Sequence, residues 1–223
     1  APGLYSFIDS LSNDQIKKSP GQSPGFFILK TRFMKAENII VTVRNELIRS
    51  IALLDEWFDS QQSLMEYQPS TGRCVCELLR HLMLTNHFLL TLIDKECKAT
   101  REDESGVFED SLAGYCLEIL SLRNIRQEGL FTGWGSDFLM PTEKNPPEEV
   151  RSEIREQLNK SLILLEGLSL GEGTRYKISL PVEGMEKLDV YQSLYFLALY
   201  TRKNVDQLHG ILEEYNRDFN AVG

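Results

Sequence analysis

The chain has 223 residues, 42% of them hydrophobic and 26% charged, enough apolar material for one sizeable core in a single domain. Its formal net charge is −9, from 33 acidic against 24 basic residues. That excludes a general nucleic-acid binder and a protein held to an anionic membrane by charge, since both need a basic surface. No apolar run approaches the ~20 residues that span a bilayer, and Phe26–Leu29 is too short for a signal-peptide core. The expectation is a soluble, cytoplasmic protein without a membrane partner; a leader removed ahead of Ala1 is the open alternative.

Residues 1–30 read as an N-terminal extension and 31–223 as the domain. The extension holds a short amphipathic piece around Leu4, Phe7, Ile8 and Leu11, then the breaker-rich run Ser19–Gly25. From about Arg32 to Ser60 the pattern is helical: Ile40, Val43, Leu47, Ile51, Leu54 and Phe58 keep three–four spacing, with Arg44, Glu46, Arg49 and Glu56 outside the stripe. A second helix is predicted over about Thr71–Lys95, with Val75, Leu78, Leu82, Asn86, Leu89 and Ile93 as its stripe and Ser70-Thr71-Gly72 as its start. An additional short helix is predicted over about Asp110–Gln127, followed by a loop from Thr132 to Pro141.

Pro146-Pro147-Glu148-Glu149 is a helix opening, because proline suits the first turn and acids suit the positive end of the dipole. The helix behind it carries Ile154, Leu158, Leu162 and Leu165 and ends near Gly167. A short extended run is expected at Tyr176–Leu180. The last helix, about Leu188–Asp218, has the clearest stripe: Leu194, Leu197, Thr201, Asn204, Leu208, Ile211 and Tyr215. The fold class is therefore all-α, a four-helix bundle with an N-terminal extension and one added short helix.

Four cysteines are present. Cys74 and Cys76 form Cys-x-Cys, and two positions apart on a helix point in different directions, so a shared metal is disfavoured and buried reduced thiols are expected. There is no phosphate-binding glycine loop and no Gly-x-Ser-x-Gly nucleophile elbow. Glu148-Glu149 and Glu213-Glu214 read as solvated faces.

Two stripes carry polar residues where apolar ones belong. On the last helix Asn204 lies in the stripe, with Tyr200 one turn earlier on the same face. On the second helix His81 sits beside Leu78, Leu82 and Thr85. Inward-facing polar groups on different helices are how bundle sites are built; the alternative is a set of core residues hydrogen-bonded to their neighbours.

These residues carry a resemblance. Pro181-Val182-Glu183-Gly184, then Leu188-Asp189-Val190-Tyr191-Gln192, then Tyr200-Thr201-Arg202-Lys203-Asn204-Val205-Asp206-Gln207-Leu208, resemble the C-terminal signature of the DinB/YfiT-like family. That signature runs Pro-x-x-Gly, a Leu-x-x-Tyr-Gln helix start, then His-x-x-x-His-x-x-Gln-Ile/Leu. Glu77-Leu78-Leu79-Arg80-His81-Leu82 is similar to the family's other signature, which ends in His-Leu or His-Ile. The resemblance covers about Ala36–Lys95 and Leu180–Tyr215.

The resemblance implies a DinB-like bundle in which three histidines, one from the second helix and two at i and i+4 from the last, hold a divalent ion such as zinc or nickel. Carried over, His81 occupies the first ligand position, and Tyr200 and Asn204 occupy the other two. One imidazole of three is kept. Asn is a weak oxygen ligand for such ions and Tyr binds them only as a phenolate, so no bound metal or other cofactor is expected. His87 and His209 fall on other helix faces and are read as flanking residues. The reading that follows is a metal-free, small-molecule-binding or non-catalytic descendant with a pocket between the second and last helices. The alternatives by resemblance are a metal-dependent hydrolase or thiol-dependent transferase, and a homodimeric interaction protein.

Overall fold

A computed structural model describes residues 24–70, 72–101, 115, 145–175, 177–179 and 187–221. Among them the architecture is all-α. Four long helices, α1 (Pro24–Asp55), α2 (Val75–Arg101), α3 (Pro147–Glu166) and α4 (Val190–Ala221), are joined by short helical turns at Glu56–Asp59, Gln62–Met65 and Glu172–Thr174. α1 packs on α4 and α3, and α2 packs on the same two helices.

Side-chain pairs give the directions. Arg44 meets Glu166 and Arg151 meets Asp55, so α1 and α3 are antiparallel. Glu46 meets Arg202 and, past the end of α1, Trp57 stacks edge-on against His209, so α1 and α4 run the same way. His81 meets Tyr200 and Ser70 meets Glu214, so α2 and α4 are antiparallel. Arg80 bonds the Asn145 carbonyl and Gln157 bonds the Met83 carbonyl, which makes α2 and α3 parallel.

The three–four stripes all lie in the core. Ile40, Val43, Leu47, Ile51, Leu54 and Phe58 of the first, Val75, Leu78, Leu82, Asn86, Leu89 and Ile93 of the second, Ile154, Leu158, Leu162 and Leu165 of the third, and Leu194, Leu197, Thr201, Asn204, Leu208, Ile211 and Tyr215 of the last are all buried. Removing this apolar surface from water, at roughly 25 cal/mol per Å², is what holds four helices of modest individual propensity together.

The ends differ from the predicted ones for local reasons. α1 begins at Pro24, eight residues before Arg32 and inside the run read as a linker; proline at a helix start costs no hydrogen bond. It stops at Asp55, and the expected final turn tightens to a 3-10 helix over Glu56–Asp59. α2 begins at Val75, not Thr71: Gly72 takes a left-handed φ of 97°, and Glu77 Oε2 accepts the Cys74 main-chain N–H at 3.1 Å as one half of a capping box. α4 opens on a fuller version of that device. Asp189 Oδ1 accepts from Gln192 N at 2.9 Å, and Gln192 Oε1 accepts from Asp189 N at 3.1 Å.

Of the expected extended run, Ile178 forms an isolated antiparallel bridge with Leu188, with N–O distances of 2.6 and 3.0 Å; Tyr176 and Leu180 lie outside the described residues. The predicted short helix over 110–127 is also outside them except for Tyr115, which is helical, buried and bonded to Asp189. Residues 1–23 and the predicted loop at 132–141 lie outside as well. One expectation is corrected. Glu46, placed outside the buried stripe of α1, is buried because Arg202 of α4 supplies its counter-charge. No helix among the described residues is long and apolar enough to cross a membrane.

Candidate functional site

Every third or fourth residue of α2 and α4 faces the interface between these helices, and polar side chains fall there on both. His81 and Tyr200, 119 positions apart, meet across it: His81 Nε2 lies 3.0 Å from the Tyr200 hydroxyl. Which atom donates depends on the imidazole tautomer. His81 is 2% exposed, and Tyr200 and Asn204 are each 4% exposed. Asn204, one turn along α4, donates from Nδ2 to the Tyr200 main-chain carbonyl at 2.9 Å. The three residues singled out from the sequence therefore gather at one place.

Burial pushes the Tyr200 phenol above its ordinary pKa. The Asn204 and Thr85 side chains beside it, and the charge of Arg73, pull the other way without reversing the shift. The phenol is consequently neutral near pH 7. Phe196, one turn earlier on α4, stacks on the Tyr200 ring with a 15° interplanar angle and fixes its orientation.

Elsewhere on the packed helices lie buried polar atoms that the candidate set did not include. Asn86 of α2 is buried, and neither its Oδ1 nor its Nδ2 has a hydrogen-bond partner among the described residues. Ser193 Oγ on α4 and Gln157 Oε1 on α3 are in the same condition. Buried polar atoms are normally satisfied, so these mark positions where water or a ligand atom would be held. The signal for Asn86 was in the sequence, where it interrupts the apolar stripe of α2. Ser193 gave none, because serine is common at helix starts.

His87 is exposed, and His209 turns away from the Tyr200–Asn204 face to bond the Val205 carbonyl at 2.8 Å and pack against Trp57. Among the described residues, no three His, Cys, Asp or Glu side chains cluster in a way that could hold a metal ion. The Cys-x-Cys pair departs from expectation. The two sulfurs do not diverge but lie 3.0 Å apart. The helical spacing argument fails because Cys74 precedes the helix, and only Cys76 is within it.

No family model, curated protein or solved structure gives a significant match to the chain.

Proposed function

We propose that this protein is a metal-free, small-molecule-binding member of the DinB/YfiT-like type, a four-helix bundle whose site lies between α2 and α4 at His81, Tyr200 and Asn204. One observation carries the reading: at the positions where the resemblance expects metal ligands stands a buried imidazole–phenol hydrogen bond, and further along α2 the buried Asn86 has both amide atoms without a partner among the described residues.

The donor set is poor for a transition metal. The His81 nitrogen facing the site is engaged by the Tyr200 hydroxyl, the phenol is held in its neutral form, and the Asn204 amide nitrogen is committed to its own helix. The same groups suit a neutral polar molecule. An imidazole, a phenol and a free carboxamide offer donors and acceptors in a surrounding of low dielectric, where each matched hydrogen bond counts for more than in water. Pairing with a second copy of the chain belongs to the same proposal and rests on the resemblance alone; sedimentation velocity decides it.

Native mass spectrometry of freshly purified protein tests the binding reading. The expected result is a population carrying an additional small-molecule mass that the Asn86→Leu variant loses, with no stoichiometric zinc or nickel by elemental analysis. A chain found only at its bare mass would overturn the ligand, and one tightly bound ion per chain would overturn the metal-free site.

A further inference from the structure

Cys74 and Cys76 stand apart from the site between α2 and α4, at the point where the chain enters α2. Their sulfurs are 3.0 Å apart, about 1 Å beyond the S–S bond length of about 2.05 Å. Both are free thiols. Cys74 is buried; Cys76 is half-buried and lines a surface crevice with Phe58, Met65, Arg80 and Asn145. Arg73 and Arg80 flank the pair in sequence. Glu77, the acid next to the pair in sequence, has its carboxylate on the Cys74 main-chain N–H. In a chain of net charge −9, Arg80 brings a positive charge to the crevice that Cys76 lines.

We propose that Cys74 and Cys76 form a thiol–disulfide exchange site, which closes to an intramolecular disulfide by reaction with an anionic, low-molecular-weight peptide disulfide of the glutathione type. Cys76 attacks first, because it is the more accessible sulfur. Burial, followed by the Cys76 sulfur itself, pushes the Cys74 thiol up to about 12, which keeps it protonated at this stage. The Cys76 thiolate, having given its proton to water, bonds to one sulfur of the peptide disulfide and expels the other as a thiolate. Cys74 then loses its proton to solvent and attacks Cys76 Sγ, and the second peptide thiolate leaves. Two protein thiols are oxidised to one disulfide, and one peptide disulfide is reduced to two thiols. The side chains already face each other, and Cys74 lies outside the helix, so ring closure asks for no unwinding of α2. A carboxylate of the peptide disulfide would meet the Arg80 guanidinium in the crevice that Cys76 lines.

The experiment is favoured by the sequence, since trypsin cuts after Arg73 and after Arg80 and releases Cys74–Arg80 with both cysteines and no others. Reduced full-length protein is incubated with glutathione disulfide, quenched with N-ethylmaleimide, digested and weighed. The expected product is an unlabelled Cys74–Arg80 peptide, lighter than the dithiol by two hydrogen atoms and restored to double labelling after dithiothreitol. Cys74→Ser should instead accumulate a glutathione adduct on Cys76. A wild-type peptide that stays doubly labelled, or that stops at a stable glutathione adduct without closing, overturns the proposal.

Discussion

Asp55 and Arg151 face each other side-on, with Arg151 Nη2 2.8 Å from Asp55 Oδ2 and Nε 3.1 Å from Oδ1, at the point where α1 gives way to its terminal turn. Arg155, one turn further along α3, makes a second fork on the same carboxylate at 2.9 and 2.8 Å. Burial on its own would raise the Asp55 pKa, but the hydrogen bonds and charges of the two arginines together hold it below the usual carboxylate range. A carboxyl depressed in the folded state contributes stability above its unfolded pKa and loses it as pH falls through the folded value. Asp55→Asn should therefore cost about 3 kcal/mol at pH 7. The gap to wild type should hold down to about pH 5 and narrow as the pH falls below about 4, near the unfolded value. Urea melts across that range measure it, and a gap independent of pH would show that the carboxylate charge is not what joins α1 to α3.

Tyr200→Phe keeps the ring that stacks on Phe196 and deletes only the hydroxyl bonded to His81. It leaves a buried imidazole nitrogen without its partner, at an expected cost of about 1–3 kcal/mol. The His81 ring nitrogen resonances should move in the same variant. An unchanged melt with unchanged His81 resonances would mean the pair is not formed in solution.

Placing imidazoles at Tyr200 and Asn204 tests the facing of α2 and α4. Tyr200→His combined with Asn204→His places two histidines one turn apart opposite His81, and the variant should take up one zinc or nickel ion per chain that the parent is expected not to bind. Titration calorimetry with elemental analysis reads this. A variant that folds and binds neither metal places His81 out of reach of the α4 face.

Leu197 and Leu208 bracket the site along α4, and both are essentially inaccessible to solvent. Either one changed to Ala should cost about 2–5 kcal/mol in denaturant unfolding, the spread reflecting how far the cavity collapses. A loss under about 0.5 kcal/mol at both would place the buried face of α4 elsewhere.

The helices were legible because burial imposes a period on the sequence, and the stripes of α1, α2, α3 and α4 carry that period over many turns. His81, Tyr200 and Asn204 were legible for the complementary reason: each breaks, or sits beside, an apolar face. What stayed hidden depended on partners far along the chain. Glu46 looks like a surface residue until Arg202, 156 positions away, is beside it. Asp55 gives no hint of Arg151 and Arg155, because a charge shows its sign in sequence but not its partner. Cys74 and Cys76 were misjudged through a helix boundary: moving the start of α2 from Thr71 to Val75 removes the geometry that would have parted them.

The direction of α1 relative to α4 sets an order of events during synthesis. The apolar face of α1 is built from residues before position 60, yet one of the two helices that cover it, α4, does not begin until Val190. Until α4 is made, Ile40, Val43, Leu47 and Ile51 must stay exposed or be sheltered by some other surface, the kind of transient that chaperones attend. Closure of the core is thus a long-range step, and a nascent chain stalled before α4 presents the face that the folded bundle hides.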